Sequence, residues 1–124
     1  MFPGLVKVLP NYCFRVSHPA VFGVSVMKGR IKPSYLLMKK NGDVVGRIRE
    51  IQDNAISMQE ARKGANVAIS MYDVTFGRQV KDNDDLYVFI NDENARALRY
   101  RYSNLLDDEE KDLLDETSGI IPQR

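Results

Sequence analysis

Residues 21–31 read Val-Phe-Gly-Val-Ser-Val-Met-Lys-Gly-Arg-Ile. Phe22, Val24 and Val26 alternate with Gly23 and Ser25, the period of two that sets apolar side chains on one face of a half-buried strand. Gly23 and Gly29 punctuate the run. Glycine inside a strand marks a bulge or a close backbone approach, which a small barrel needs at its corners. Upstream, Leu5, Lys7 and Leu9 alternate with Val6 and Val8, Pro10-Asn11 interrupts, and Tyr12 to Val16 continues the strand. Downstream, Leu36 to Lys40 and Val44 to Gln52 flank Asn41-Gly42-Asp43, and Asn-Gly predicts a two-residue type I′ hairpin turn. Residues 53–63 are polar, anchored by Ile56, Met58 and Ala61, and read as a loop with a short turn. From Asn66 to Tyr72, Val67, Ile69 and Met71 share one face and Ala68, Ser70 and Tyr72 the other. A last strand, Leu86 to Ile90, follows the turn-rich Gln79 to Asp85. Six or so short strands with regular turns predict a mainly β fold, a small closed barrel over residues 1–91.

At Asn91 the period changes. Ala95, Leu98, Tyr102, Leu105 and Leu106 fall on one helical stripe, with Asn91 as the N-cap. A second helix is predicted from Asp107, where Glu110 three residues on completes a capping box, and Asp108 and Glu109 favour the same helix end. Leu113 and Leu114 supply its apolar face, and Ser118-Gly119 ends it before Ile120-Ile121-Pro122. Residues 92–124 are thus expected as a two-helix extension packed on the barrel, the two parts forming one structural domain.

A chain of 124 residues with 44% hydrophobic content suits a single domain that hides roughly two thirds of its unfolded surface. The only cysteine is Cys13 and the only histidine is His18, so a disulfide frame, a cysteine-histidine zinc site and a thiol-histidine pair are poorly supplied. Cys13 reads as an ordinary strand residue and His18, beside Pro19, as an exposed turn residue. The carboxylates of Asp107 to Glu110 read as a capped helix start rather than a cation site. No G-x-x-x-x-G-K-[ST] loop is present, since neither Gly23 to Gly29 nor Gly42 to Gly46 is followed by Lys-Ser/Thr. Neither a nucleophile-base pair nor a metal cluster can be assembled, so the chain itself is not expected to be an enzyme. No apolar run approaches the ~20 residues of a membrane span, and Met1-Phe2-Pro3-Gly4 lacks the basic and apolar regions of a signal peptide, which places the chain in the cytoplasm.

The formal net charge of +1 is unevenly spread. Residues 1–91 carry 13 basic and 8 acidic side chains, and residues 92–124 carry 5 and 9. A modestly basic body permits phosphate contact but falls short of the charge of a protein that binds nucleic acid alone. Arg96, Arg99 and Arg101, interleaved with Tyr100 and Tyr102, form a basic aromatic series that could pair with phosphates or stack on bases. On one helix they do not share a face, and the competing reading sets Tyr102 in the core with the arginines reaching toward barrel carboxylates.

Several segments, in order, carry a resemblance: Phe14-Arg15-x-Ser17-x-Pro19-Ala20-x-x-Gly23-Val24, Gly29-Arg30-Ile31-Lys32-Pro33, Val45-Gly46-x-Ile48-x-x-Ile51-Gln52-Asp53, Glu60-Ala61-x-x-Gly64-x-x-Val67-Ala68-Ile69, Gly77-Arg78 and Asp85-Leu86-Tyr87. Together they resemble the C-terminal, fourth domain of archaeal translation initiation factor 5B, the relative of bacterial initiation factor 2, from about Phe2 to Leu114. The resemblance implies a barrel similar to domain II of elongation factor Tu with two trailing helices. It also implies a fragment of a larger GTPase that promotes ribosomal subunit joining, with GTP and Mg held by a domain absent here and no cofactor in this part.

In the bacterial branch this barrel holds the aminoacyl end of initiator tRNA. The matching positions here are Val24, the segment Gln52-Asp53-Asn54-Ala55, and Asn66, Val67 and Ala68. The bacterial basic, aromatic stretch is replaced by Gln-Asp-Asn-Ala, which removes cations that would neutralise phosphate, leaving main-chain amides and Gln52 or Asn54 to read a terminal adenine. A second implied partner is initiation factor 1A, docking in an apolar groove of the trailing helices, with Arg99, Tyr102, Leu106, Leu113 and Leu114 as candidate lining. Leu98 and Leu105 read as core. The expected partners are therefore initiation factor 1A, initiator methionyl-tRNA and the ribosome, with no membrane and a monomeric state. The competing function is a barrel adaptor that binds only a protein partner, with no nucleic-acid role.

Overall fold

The computed structural model describes residues 1–118. Two long strands, β1 (Gly4–Arg15) and β2 (Ala20–Ile31), form its antiparallel spine. They are followed by β3 (Leu36–Met38), β4 (Val44–Arg47), β5 (Glu50–Asp53), β6 (Ile56–Met58), β7 (Ala61–Arg62), β8 (Asn66–Met71) and β9 (Asp85–Val88). The helical part comprises α1 (Asp92–Tyr100), a 3-10 turn (Ser103–Leu105) and α2 (Asp108–Ser118). The strands run in the order β4-β3-β9-β1-β2-β8-β5-β6, with β7 on the far end of β2. The expected stop at Ser118-Gly119 and the Ile120-Ile121-Pro122 tail lie outside the described residues beyond Ser118.

This sheet curls into the expected barrel. One side is closed by the chain itself, because the ribbon from β4 to β5 changes neighbours midway. Ile48 exchanges main-chain hydrogen bonds with Ser34 and Tyr35, whereas the next amide, Arg49 N–H, donates to Ser70 O at 2.7 Å. Leu36 and Leu37 of β3 pair with the first half, and Ile69 and Ala68 of β8 with the second. Inward side chains of alternate residues, among them Val6, Val8, Phe22, Val24, Ile51, Ile69 and Leu86, are buried to within 1% and form the core.

Both predicted interruptions are real. Residues 9–12 of β1 stand opposite Gly23 alone, since Val8 pairs with Val24 and Cys13 with Phe22. Gly29 has φ +64 beside a register shift, and a Cβ there would strike the Pro3 carbonyl oxygen. Only glycine fits such a left-handed, back-to-back approach.

Two turns differ from expectation. The β3–β4 hairpin sits where Asn41-Gly42 predicts it, but only Gly42 has positive φ. Gly42 N–H donates to Lys39 O at 2.9 Å and Lys39 N–H to Asp43 O at 2.8 Å, the pattern of a type I turn with a glycine bulge. The type I′ turn is instead in the stretch read as a loop. Asp53 pairs with Ile56 across Asn54 (φ 51) and Ala55 (φ 65), joining β5 to β6. Strands of two or three residues such as β6 and β7 are too short to show a period, and the run read as Val44 to Gln52 divides into β4 and β5, so the described residues hold nine strands where six or so were expected. Ala55 bears left-handed strain of about 1–2 kcal/mol, against about 0.5–1 kcal/mol for the extra chain entropy of glycine. Ala55→Gly should therefore raise stability by about 0.5 kcal/mol in denaturant unfolding. A loss of 1 kcal/mol would show that this hairpin does not hold its type I′ form.

The helices begin as predicted. Asn91 Oδ1 accepts from Asn94 N–H at 2.8 Å, and the capping box is reciprocal, with Glu110 N–H donating to Asp107 Oδ1 at 2.7 Å and Asp107 N–H to Glu110 Oε1 at 3.3 Å. The single stripe through Leu106 is not retained. α1 ends at Tyr100, and the 3-10 turn, with three residues per turn, shifts the phase. Ala95, Leu98 and Leu106 are buried, but Tyr102 and Leu105 are 48% and 51% exposed, which corrects the core reading of both.

The acidic helices meet the basic barrel. Glu110 takes Arg30 at 3.3 Å, Glu109 takes Lys63 at 3.0 Å, and Arg99 ties α1 to α2 through Asp115 at 3.0 Å. Part of the charge asymmetry of the sequence is thus complementarity within the fold, carried by Arg30 with Glu110 and Lys63 with Glu109. On the outer surface of β3, β9 and β1, Leu113 packs with Met38 and Tyr87 in a second buried cluster. Tyr87 Oη donates to Glu116 Oε1 at 3.1 Å; burial, then the Glu116 carboxylate, pushes the phenol up to about 12. The folded state holds this proton more tightly than the unfolded chain, so the contribution is complete below about pH 10 and is lost as pH rises through about 12. Tyr87→Phe should flatten that alkaline loss, read by circular dichroism, while lowering neutral-pH stability by about 1 kcal/mol. An unchanged alkaline profile would remove Tyr87 from the α2 seat.

Candidate nucleic-acid interface

Six of the seven sequence-predicted positions fall on the adjacent strands β2, β8 and β5 and the seventh, Asn54, on the β5–β6 turn, but they do not share one surface. Val24 and Val67 pair in register across β2 and β8, and both side chains are buried in the barrel. Their side chains cannot meet a ligand outside, which corrects that part of the assignment. Side chains alternate along a strand, so a one-residue change of position moves a group through the sheet. Gln52 and Ala68, one step away, lie opposite each other on the outer face, and Gly23 is next in the same row. Asn66 is exposed opposite Ser25, and Asp53 and Asn54 occupy the exposed tip of the β5–β6 hairpin.

The tertiary structure adds residues to this face. Tyr12, on the bulge of β1, lies directly over Gly23: a Cβ on that glycine would stand 2.9 Å from Tyr12 Cβ. Tyr12 and Phe14 are 54% and 65% exposed and meet edge to face at 6.3 Å. A second row runs beside the first, with Arg15 paired to Val21, Val21 to Ser70 and Ser70 to Glu50. Between the ends of β1 and β5 lies a cleft of about 350 Å³ lined by Arg15, Pro19, Arg49, Glu50, Gln52 and Ser70. Arg49 also stacks over the exposed Tyr72 ring at 4.9 Å. Beyond it a wider hollow of about 660 Å³ is lined by Ser34, Val44, Gly46, Arg47, Tyr72 and Asp73. Glu50 accepts from Ser57 Oγ and from Gln52 Nε2. Those two bonds hold its carboxyl below the usual carboxylate range, so it is ionised at neutral pH.

Sequence reading singled out Arg96 to Tyr102 as the basic aromatic series, whereas the structure assembles one from Tyr12, Phe14, Arg15, Arg49 and Tyr72. The alternation of Arg47 and Arg49 about buried Ile48 carried part of the signal. Their meeting with β1 depends on register.

The helical region holds two small hollows. Arg99, Leu106 and Leu114 line one of about 180 Å³ between α1 and α2, with Leu106 and Leu114 almost wholly covered. Tyr102 and Leu105 line the other, of about 240 Å³, with Phe2 and Ala97. Leu113 belongs to neither. It is fully buried against Met38 and Tyr87, so its place in the expected groove is corrected to core. Asp107 and Glu110, half of the acidic run, are engaged in the capping box. Among the described residues no helix is long and apolar enough to cross a membrane.

The family model of elongation factor Tu domain 4 matches residues 2–87. The probable translation initiation factor IF-2 of Thermococcus sibiricus is 40% identical over 125 residues, covering 99% of this chain and 21% of that protein. Its counterpart in Pyrobaculum neutrophilum is 44% identical over 115 residues, covering 92% of this chain and 19% of the relative. The crystal structure of GDP-bound aIF5B from Aeropyrum pernix superposes with a TM-score of 0.92 at 37% identity, over 96% of this chain and 20% of that one. The chain spans about a fifth of the length of the relatives it matches. With its curled sheet and two trailing helices in the same arrangement, it belongs to the elongation factor Tu domain 4 family, in the form carried by archaeal IF-2 and aIF5B.

Proposed function

We propose that this domain contacts the acceptor end of initiator methionyl-tRNA for a cytoplasmic translation initiation factor, through the outer face of β2, β8 and β5. The observation that supports this reading best is the row Tyr12, Gly23, Ala68 and Gln52, flanked by Arg15 and Arg49. Exposed aromatic rings give bases a stacking surface, and arginines beside them meet the backbone. The parent protein is a GTPase that promotes ribosomal subunit joining. GTP and Mg belong to its other domains, and this part, a monomer, has no catalytic role. Initiation factor 1A docks at the helical hollows, where the exposed Tyr102 and Leu105 are the accessible apolar groups.

Fluorescence anisotropy with initiator tRNA across a salt series tests the first contact. Two single-strand phosphate contacts give a log-log salt slope of about −1.4. Tyr12→Ala and Gln52→Ala should each weaken binding several-fold with the fold intact. No binding at low salt would reject the tRNA role and leave the adaptor that binds protein alone. Titration with initiation factor 1A then needs Tyr102→Ala and Leu105→Asp as probes, because Leu106 and Leu113 are buried. Equal binding by both variants and the parent would reject the helical site.

A further inference from the structure

Among the described residues, Ser70 Oγ is the only buried side-chain polar atom without a hydrogen-bond partner. Ser70 is 6% exposed, and a buried hydroxyl with no partner is a standing penalty. The residue lines the cleft between β1 and β5 together with two arginines. Arg49 is fixed from below by its own amide, which donates to Ser70 O. Arg15 is exposed, steadied by Nε donating to Ser17 O at 3.0 Å, and meets no carboxylate within 4.0 Å among the described residues. The single acid in the cleft, Glu50, is held by Ser57, Gln52 and Arg49. Two guanidinium groups and one carboxylate leave a local charge of one positive unit. That balance suits the single negative charge of a phosphodiester. A doubly charged phosphate monoester would leave an excess negative charge beside Glu50.

We infer that this cleft seats one phosphodiester group of single-stranded RNA, with Ser70 Oγ donating to a non-bridging oxygen and Arg15 and Arg49 neutralising the group. The neighbouring base stacks on Tyr12 or Phe14, whose exposed rings lie along the adjoining row. The inference rests on the nucleic-acid reading of the outer face, and extends it from a face to a subsite with a stated charge. None of the positions carried over from the bacterial branch supplies the hydroxyl or either cation.

The test titrates the chain with a labelled five-nucleotide RNA, with the same RNA carrying one neutral methylphosphonate linkage at each position in turn, and with inorganic phosphate as competitor. Ser70→Ala should weaken RNA binding about fivefold while leaving the melting temperature unchanged or higher, because it removes an unpartnered hydroxyl. Arg15→Gln should weaken binding and make the salt slope shallower by about 0.7. One methylphosphonate position should stand out as weakest, and inorganic phosphate should compete poorly. Wild-type affinity in Ser70→Ala and Arg15→Gln, with loss in Tyr12→Ala or Gln52→Ala, would overturn the subsite and leave the outer-face reading standing. Unaltered binding in all four variants would overturn both. Strong competition by inorganic phosphate would overturn the phosphodiester preference.

Discussion

Leu113→Ala is expected to lower unfolding free energy by about 3 kcal/mol, and the melting temperature by about 10 °C. Leu113 is fully buried and is the α2 residue of the cluster with Met38 and Tyr87, with Leu5 and Phe89 packed around it. Truncation removes the apolar atoms and leaves a cavity in a seat made by β3, β9 and β1, which relaxes poorly. Leu105→Ala is the internal control: at 51% exposed it should change stability by less than about 0.5 kcal/mol. Urea unfolding followed by circular dichroism reads both. Equal effects would mean that α2 does not dock through Leu113, and the second buried cluster would have to be abandoned.

Glu110→Ala should be comparably severe, at about 3 kcal/mol. Glu110 is 5% exposed and does two jobs: it accepts from Asp107 N–H to complete the capping box, and it pairs with Arg30, whose side chain is only 14% exposed. Removing one member of a buried pair leaves a desolvated charge, which outweighs the Coulombic gain of the intact pair. Arg30 retains Glu60 at 3.5 Å and the Phe2 ring at 4.2 Å, which limits the loss. The double variant Arg30→Met/Glu110→Ala should therefore be more stable than the sum of the two single changes predicts, by about 1–2 kcal/mol of coupling. Strict additivity would show that the pair contributes nothing and that only the cap matters. The same contact fixes how the acidic helices lie on the basic barrel, so the proposed tRNA contact at the outer β2–β8–β5 face, which does not include Glu110, should survive Glu110→Ala in the folded fraction.

The predicted functional positions show where sequence reading stops. Val24, Gln52 and Ala68 fall on the neighbouring strands β2, β5 and β8, yet Val24 faces the core and the other two face outward. A motif match carries positions along the chain, whereas accessibility depends on the parity of each residue within its strand. The basic aromatic face is harder still. Tyr12 and Gln52 are 40 residues apart and share a row only because β1, β2, β8 and β5 lie in that order. Ser70 looks like any polar residue on the outer side of a strand until the sheet is assembled and its hydroxyl is found buried without a partner.

The chain's own local chemistry determined much of the rest. Period-two alternation in residues 21–31 and 66–72 named the core face of β2 and β8, and Asn91, Asp107 and Glu110 announced both helix starts. These features depend on groups within a few residues of each other, so short-range hydrogen bonding and burial patterns suffice to write them into the sequence. Tertiary structure alone decided that Asn54-Ala55 adopts the type I′ turn and that Tyr102 and Leu105 turn outward. It alone brought Arg15, Arg49 and Ser70 to one cleft. Each of these is set by contacts between segments far apart in the chain, where register and the phase of a 3-10 turn fix geometry that no local propensity encodes.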